Sequence, residues 1–73
     1  MIVDFLLFDN FSNHCLANTV EPLRATNGLS GKPLYHWRFL TIDGKPVTSS
    51  SGLQVTPQST LAGAQGDLLI VMP

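Results

Sequence analysis

Apolar residues gather in three dense runs, separated by stretches with turn chemistry. The first, Ile2-Val-Asp-Phe-Leu-Leu-Phe8, is nearly continuous and stops at Asp9-Asn10, which predicts a strand. The second, Tyr35–Ile42, is rich in aromatic and branched residues and reads as another strand. Its alternation sets Tyr35, Trp37 and Phe39 against His36 and Arg38, and this one-sided polarity suits an edge or near-edge position. The third, Leu68-Leu-Ile-Val-Met72, is the most apolar and is followed by Pro73. It reads as a strand covered on both faces, as in the middle of a parallel sheet.

Between the first two runs the apolar period changes to that of a helix. Leu16, Val20 and Leu23 stand at i, i+4 and i+7, one face of a helix. Ser12 is a good N-cap, with Phe11 at N′ and Leu16 at N4 placed for a hydrophobic staple. Asn27-Gly28 is the expected stop, with Gly28 at C′. Pro22 lies inside and should cause a kink or a short irregular turn, because it has no N–H and crowds the Asn18 carbonyl. After the turn Asp43-Gly44, Pro46–Thr48 and Gly52–Val55 read as short strands flanking Ser49-Ser50-Ser51. Thr56-Pro57 matches an N-cap followed by N1, which predicts a short helix over Pro57–Ala62.

Strand, helix, strand, hairpin, helix, strand is an α/β order. It predicts a parallel sheet with right-handed crossovers and a strand order of 2-1-3, the first strand central, with the short β-hairpin as an insertion. In such sheets ligands sit at the carboxyl ends of strands, where the order switches. Asp9, Asn10 and Phe11 would lie at that mouth, facing Met72 and Pro73. The chain reads as the first part of a larger domain, since the loop after the third strand lies beyond Pro73.

Composition narrows the choices. At 73 residues the chain makes at most one small domain, and so short a chain buries only about 60–65% of its unfolded surface. Charged residues are 12%, about half the usual share, as for a surface meant to be covered. Net charge is −1, with Arg24, Lys32, Arg38 and Lys45 dispersed, so these residues offer no nucleic-acid patch. One cysteine forms no internal disulfide. No basic stretch precedes the first apolar run, and no run approaches the about 18–20 residues that span a membrane. A cytoplasmic setting without membrane contact is the expectation.

Candidate chemistry is sparse. Cys15, near N3 beside His14, has the position of an activated thiol; a small helical hydrophobe accounts for it better. The spacing of His14 and His36 matches no compact metal motif, and no metal or cofactor site is assigned. Asn10 can offer both donor and acceptor to an amide or amino-acid ligand, although polar residues of a βα turn commonly satisfy local backbone. The N–H groups of Asn13 and His14 at the helix start could hold a carboxylate. Asp9, Asn10, Phe11 and Asn13 are the candidate ligand-binding residues. Glu21 and Arg24 are i, i+3 neighbours and read as an exposed helix pair.

Three stretches carry a family resemblance: Phe5-Leu-Leu-Phe-Asp-Asn-Phe-Ser12, Glu21-Pro-Leu-Arg-Ala25, and Asp43-Gly44 with Val47 and Ser51-Gly-Leu53. With Asp67-Leu-Leu-Ile-Val71, the chain resembles the N-terminal part of a ThiJ/PfpI-like (class I glutamine amidotransferase-like) domain. More narrowly, it resembles the GlxA-type regulators, in which that domain precedes an AraC-type helix-turn-helix pair. The resemblance implies a flavodoxin-like sandwich two to three times this length. It also implies that any nucleophile-elbow cysteine lies beyond Pro73. Some enzymes of the superfamily carry a glutamate on the first helix; the matching positions, His14–Leu16, hold none. The expectation is the ligand-sensing and dimerising part of a non-catalytic regulator, with a small nitrogenous metabolite as ligand. DNA would be bound only through a region absent here. A homodimer or swapped assembly is expected from the open edge of Leu68–Met72. The alternative is part of a cysteine-dependent enzyme, hydrolase or glyoxalase-like.

Overall fold

The computed structural model describes Met1–Pro73. The elements are β1 (Ile2–Leu7), α1 (Asn13–Ser30), β2 (His36–Thr41), β3 (Val47–Thr48), β4 (Gln54–Val55), β5 (Ser59–Thr60), a 3₁₀ turn (Leu61–Gly63) and β6 (Leu68–Met72). One four-stranded sheet has the order β5-β2-β1-β6, and β3 with β4 forms a separate antiparallel pair. All three pairings within the large sheet are parallel. The three long strands therefore take the expected 2-1-3 order, with β1 central and the hairpin as an insertion.

The register explains the two faces. Phe5 stands beside Phe39 and Ile70, and Leu7 beside Met72. These side chains and Val3 form the core with Phe11 and Val47, and Leu16, Val20 and Leu23 of α1 pack against it. The Phe5 and Phe39 rings lie 5.8 Å apart, tilted by 39°. Complete burial of Phe5 and Phe11 contributes about 1.5–3 kcal/mol for each ring. Trp37 joins the core margin, as its place beside Phe39 on the apolar face predicts. The opposite face is thinly covered. On β6, Leu69 and Val71 are exposed, and β6 is itself an open edge; the full cover expected for this run is not supplied by these residues.

Ser12 caps α1 as expected, its Oγ accepting from the Cys15 N–H at 3.2 Å, and both staple residues join the core. The helix end differs. Gly28 is helical, and the left-handed residue is Gly31, with φ 69° and its N–H on the Asn27 carbonyl. The physical reason lies in Asn27, whose side chain donates to Tyr35 O at 2.8 Å and accepts from Tyr35 N at 2.9 Å. Those bonds dock a helix one turn longer onto the start of β2. No irregular turn interrupts the helix at Pro22. Pro22 and Asn18 are both exposed, so the carbonyl left without a helical partner can be hydrated.

The helix expected over Pro57–Ala62 is a second correction. Ser59 and Thr60 pair with Leu40 and Thr41 as β5. Gln58 exchanges bonds with Phe39, its N–H on the Phe39 carbonyl and its Oε1 taking the Phe39 N–H. An unpaired edge of β2 outcompetes a six-residue helix, too short to stand on its own hydrogen bonds.

Candidate ligand site

The carboxyl ends of β1 and β6 meet where Phe8 N–H donates to Met72 O at 3.2 Å. Over this mouth lies the β3–β4 hairpin. Asp9 Oδ1 accepts from Thr48 N at 3.1 Å, and Asn10 N donates to Thr48 O at 2.7 Å. The two turn residues thus take both backbone groups of Thr48, as a neighbouring strand would. Ser50 N adds a bond to Phe11 O at 2.9 Å, and the Asn13 amide donates to Ser51 Oγ. Asn10 reaches this geometry with φ 68°, a left-handed conformation that Asn tolerates better than most residues.

The four predicted ligand residues therefore occupy three environments. Phe11 is fully buried in the core, which removes its side chain from any direct contact with a ligand. Asp9 and Asn10 are exposed, with the groups just named bonded to the hairpin. Asn13 is half-buried; its Nδ2 is used on Ser51, and its Oδ1 is buried without a partner.

Asn13 also stands at one end of a cleft of about 290 Å³. Leu16, Ala17 and Val20 of α1 wall it on one side, Phe39 and Leu53 on the other, and Glu21 lies at the far end. A second cleft of about 320 Å³, at the amino ends of the strands, is lined by Asn27, Pro33, Tyr35, His36 and Trp37. Its best polar group, the Asn27 amide, is already spent on both backbone groups of Tyr35.

Other candidates stay apart. Cys15 is exposed, and His14 pairs its Nε2 with Asn18 Nδ2 at 3.1 Å rather than with the thiol. Glu21 and Arg24 form the expected exposed pair at 2.5 Å. No three His, Cys, Asp or Glu side chains gather as a metal site.

A cluster around Asp4 is absent from the sequence reading. Its carboxylate, 0% exposed, accepts from Arg38 Nε at 3.0 Å and from Gln65 N and Gly66 N at 2.8 and 2.7 Å. Arg38 Nη2 also donates to Gly63 O at 3.0 Å. Burial pushes the Asp4 carboxyl up, but the Arg38 hydrogen bond, the Gly66 and Gln65 N–H groups and the Arg38 charge outweigh it and hold the carboxyl below its ordinary value. The signal was an acid inside an apolar strand opposite an arginine in another; only the parallel register, Asp4 beside Arg38, brings them together.

Comparison with known proteins follows the same lines. No family model matches the chain. It is 53% identical over 57 residues to the HTH-type transcriptional regulator GbdR of Pseudomonas aeruginosa, covering 78% of this chain and 16% of that protein. It is 41% identical over 69 residues to the regulator CdhR of the same species, covering 93% and 20%. To the regulator GlxA of Rhizobium meliloti it is 49% identical over 53 residues, covering 73% and 16%. The chain thus spans between 16% and 20% of the length of these curated relatives. Among solved structures, an AraC family transcriptional regulator from Pseudomonas putida superposes with a TM-score of 0.76 at 28% identity, over 97% of this chain and 45% of that one. A DJ-1 superfamily protein from Agrobacterium tumefaciens gives a TM-score of 0.69 at 24% identity, over 100% and 37%, a likeness of fold. No helix is long and apolar enough to cross a membrane.

Proposed function

We propose that this chain, which belongs with the GbdR, CdhR and GlxA regulators as part of a ThiJ/PfpI-like domain, serves as the ligand-sensing and dimerising portion of a cytoplasmic transcriptional regulator. The observation that carries the reading is the 53% identity over 57 residues to an HTH-type regulator. Ligand sensing is the role left to a ThiJ/PfpI-like domain when DNA is read elsewhere in the protein. These residues suit that division of labour: with a net charge of −1 and four dispersed basic residues, they have no means of holding a phosphate backbone. The effector is a small nitrogenous metabolite, held near the Asp9–Asn13 turn and the first turn of α1. The 73-residue chain by itself should form a homodimer or swapped assembly through β6, whose open edge and exposed Leu69 and Val71 favour association.

A non-catalytic role is part of the reading: where some enzymes of the superfamily carry a glutamate on the first helix, His14–Leu16 hold none. The test uses the full natural chain. Mobility shift on the DNA upstream of its own gene, with and without a panel of free amino acids and small amines, should show binding as a dimer that one class of compound strengthens or weakens. Failure to bind that DNA in a sequence-specific way, or turnover of an amide or aldehyde by the same preparation, would defeat the reading.

A further inference from the structure

We propose that the cleft between α1 and the hairpin takes a small molecule with an apolar body and a head that carries N–H donors. The inference rests on the ligand-sensing reading and moves the ligand from the strand mouth to the flank of α1.

Apolar walls and hydrogen-bonding chemistry set the class. Leu16, Val20, Phe39 and Leu53 give apolar walls on both sides of a space of about 290 Å³, near the lower end of the range for small-molecule sites. The polar lining residues are Asn13 and Glu21, with no cation among them. They lie eight residues apart on α1, roughly 12 Å of helix rise, so they mark opposite ends of the cleft. The Glu21 carboxylate is already paired with Arg24 at 2.5 Å, so the Asn13 end sets the class of ligand. At the other end Asn13 Oδ1 is a buried acceptor without a donor, a state rare enough in folded proteins to require an explanation. The last torsion of an Asn side chain is soft. A turn of the amide toward the cleft, at the expense of its Nδ2 bond to Ser51, would let a ligand N–H complete Oδ1.

The far wall makes the cleft responsive. Leu53 belongs to the hairpin held on the β1–α1 turn through Thr48, Ser50 and Ser51. A ligand between α1 and Leu53 therefore bears on the strap over the strand mouth as well as on the helix.

The test is calorimetric titration of the full natural chain with hexylammonium chloride, compared with N,N,N-trimethylhexylammonium and hexanoate. Hexylammonium should bind one to one. The trimethyl compound keeps the charge and the chain but has no N–H, and hexanoate keeps the chain and also has no N–H; each should bind at least about tenfold more weakly, the loss expected for one charge-assisted hydrogen bond. Ala17→Phe, at an exposed helix position, should fill the cleft and weaken hexylammonium binding by a similar factor. Asn13→Ala, which removes the acceptor, should erase the preference for hexylammonium over its trimethyl form. Absence of saturable binding, equal binding of the three compounds, or indifference to Ala17→Phe would overturn the proposal. So would a change of oligomeric state in Ala17→Phe without hexylammonium binding, which would make the cleft a protein interface. Loss of DNA binding alone would defeat the regulator reading and leave the titration to decide the cleft.

Discussion

Replacing Asp4 by Asn tests whether the buried carboxylate locks the sheet. The amide keeps the shape and can still accept from Gln65 and Gly66, but its NH₂ then faces Arg38 Nε donor to donor. Breaking a buried pair costs about 3–5 kcal/mol. The Arg38 side chain is 27% exposed and recovers part of its hydration, so the lower end, about 3 kcal/mol, applies here. The assay is peptide-resolved hydrogen exchange on the full natural chain. Amides of β1, β6 and the Gln65–Gly66 segment should exchange about a hundredfold faster, since 1.36 kcal/mol corresponds to a factor of ten. The pH dependence has a definite sign. The folded carboxyl lies below its ordinary 3.8, so its contribution is complete above that value. The contribution is lost as pH falls below 3.8 through the folded value, and the Asn variant lacks that acid step. Acceleration of less than about tenfold, or an acid step unchanged in the variant, would refute the claim that Asp4 fastens β2 and the β6 approach to β1.

The two glycines Gly66 and Gly28 should respond in opposite directions to alanine. A Cβ at Gly66 would stand 3.0 Å from Asp4 N, Cγ and Oδ2, so Gly66→Ala should cost about 1–3 kcal/mol by thermal or urea unfolding. At Gly28, helical and with nothing within 4 Å of an added Cβ, alanine should stabilise by about 0.5–1 kcal/mol. Asn27→Ala removes both bonds to Tyr35 and should cost about 2 kcal/mol, seen as faster exchange of the Tyr35 amide. Phe11→Ala should cost about 3–5 kcal/mol as a core truncation; retention of full stability would show that Phe11 lies outside the core.

The elements that were legible carry their cause locally. An apolar run makes β1 and β6, a Ser cap with its staple starts α1, and aromatic alternation makes β2. What was not legible depended on partners far along the chain. Thr56-Pro57 carries a sound helix-start signal, yet the free edge of β2 takes Ser59 and Thr60 as a strand. Gly28 and Gly31 both satisfy the rule for a helix end, and Asn27, by bonding to Tyr35, decides for Gly31. Asp4 reads as a blemish in an apolar run until the parallel register sets Arg38 beside it. In the site, topology placed Asp9 and Asn10 at the mouth correctly. It gave no hint that the hairpin, some forty residues later, would engage both.

That engagement changes what the turn can do. A turn whose polar groups were free would bind a ligand by direct contact and transmit nothing. Here Asp9, Asn10 and Phe11 each bond to Thr48 or Ser50, and Asn13 to Ser51, so any displacement of the hairpin is also a displacement of the β1–α1 turn. Several of these bonds lie near solvent, where each contributes little net free energy, so a ligand of modest affinity could shift the strap without opposing the core. The core is anchored separately, through Phe5 and Leu7 on one face of β1, with Phe11 of the following turn packed among them, and through the Asp4 clamp on the other face. The links at the mouth and the anchors of the sheet are thus different interactions, the arrangement the proposed sensing role would require if binding is to move one segment and leave the fold intact.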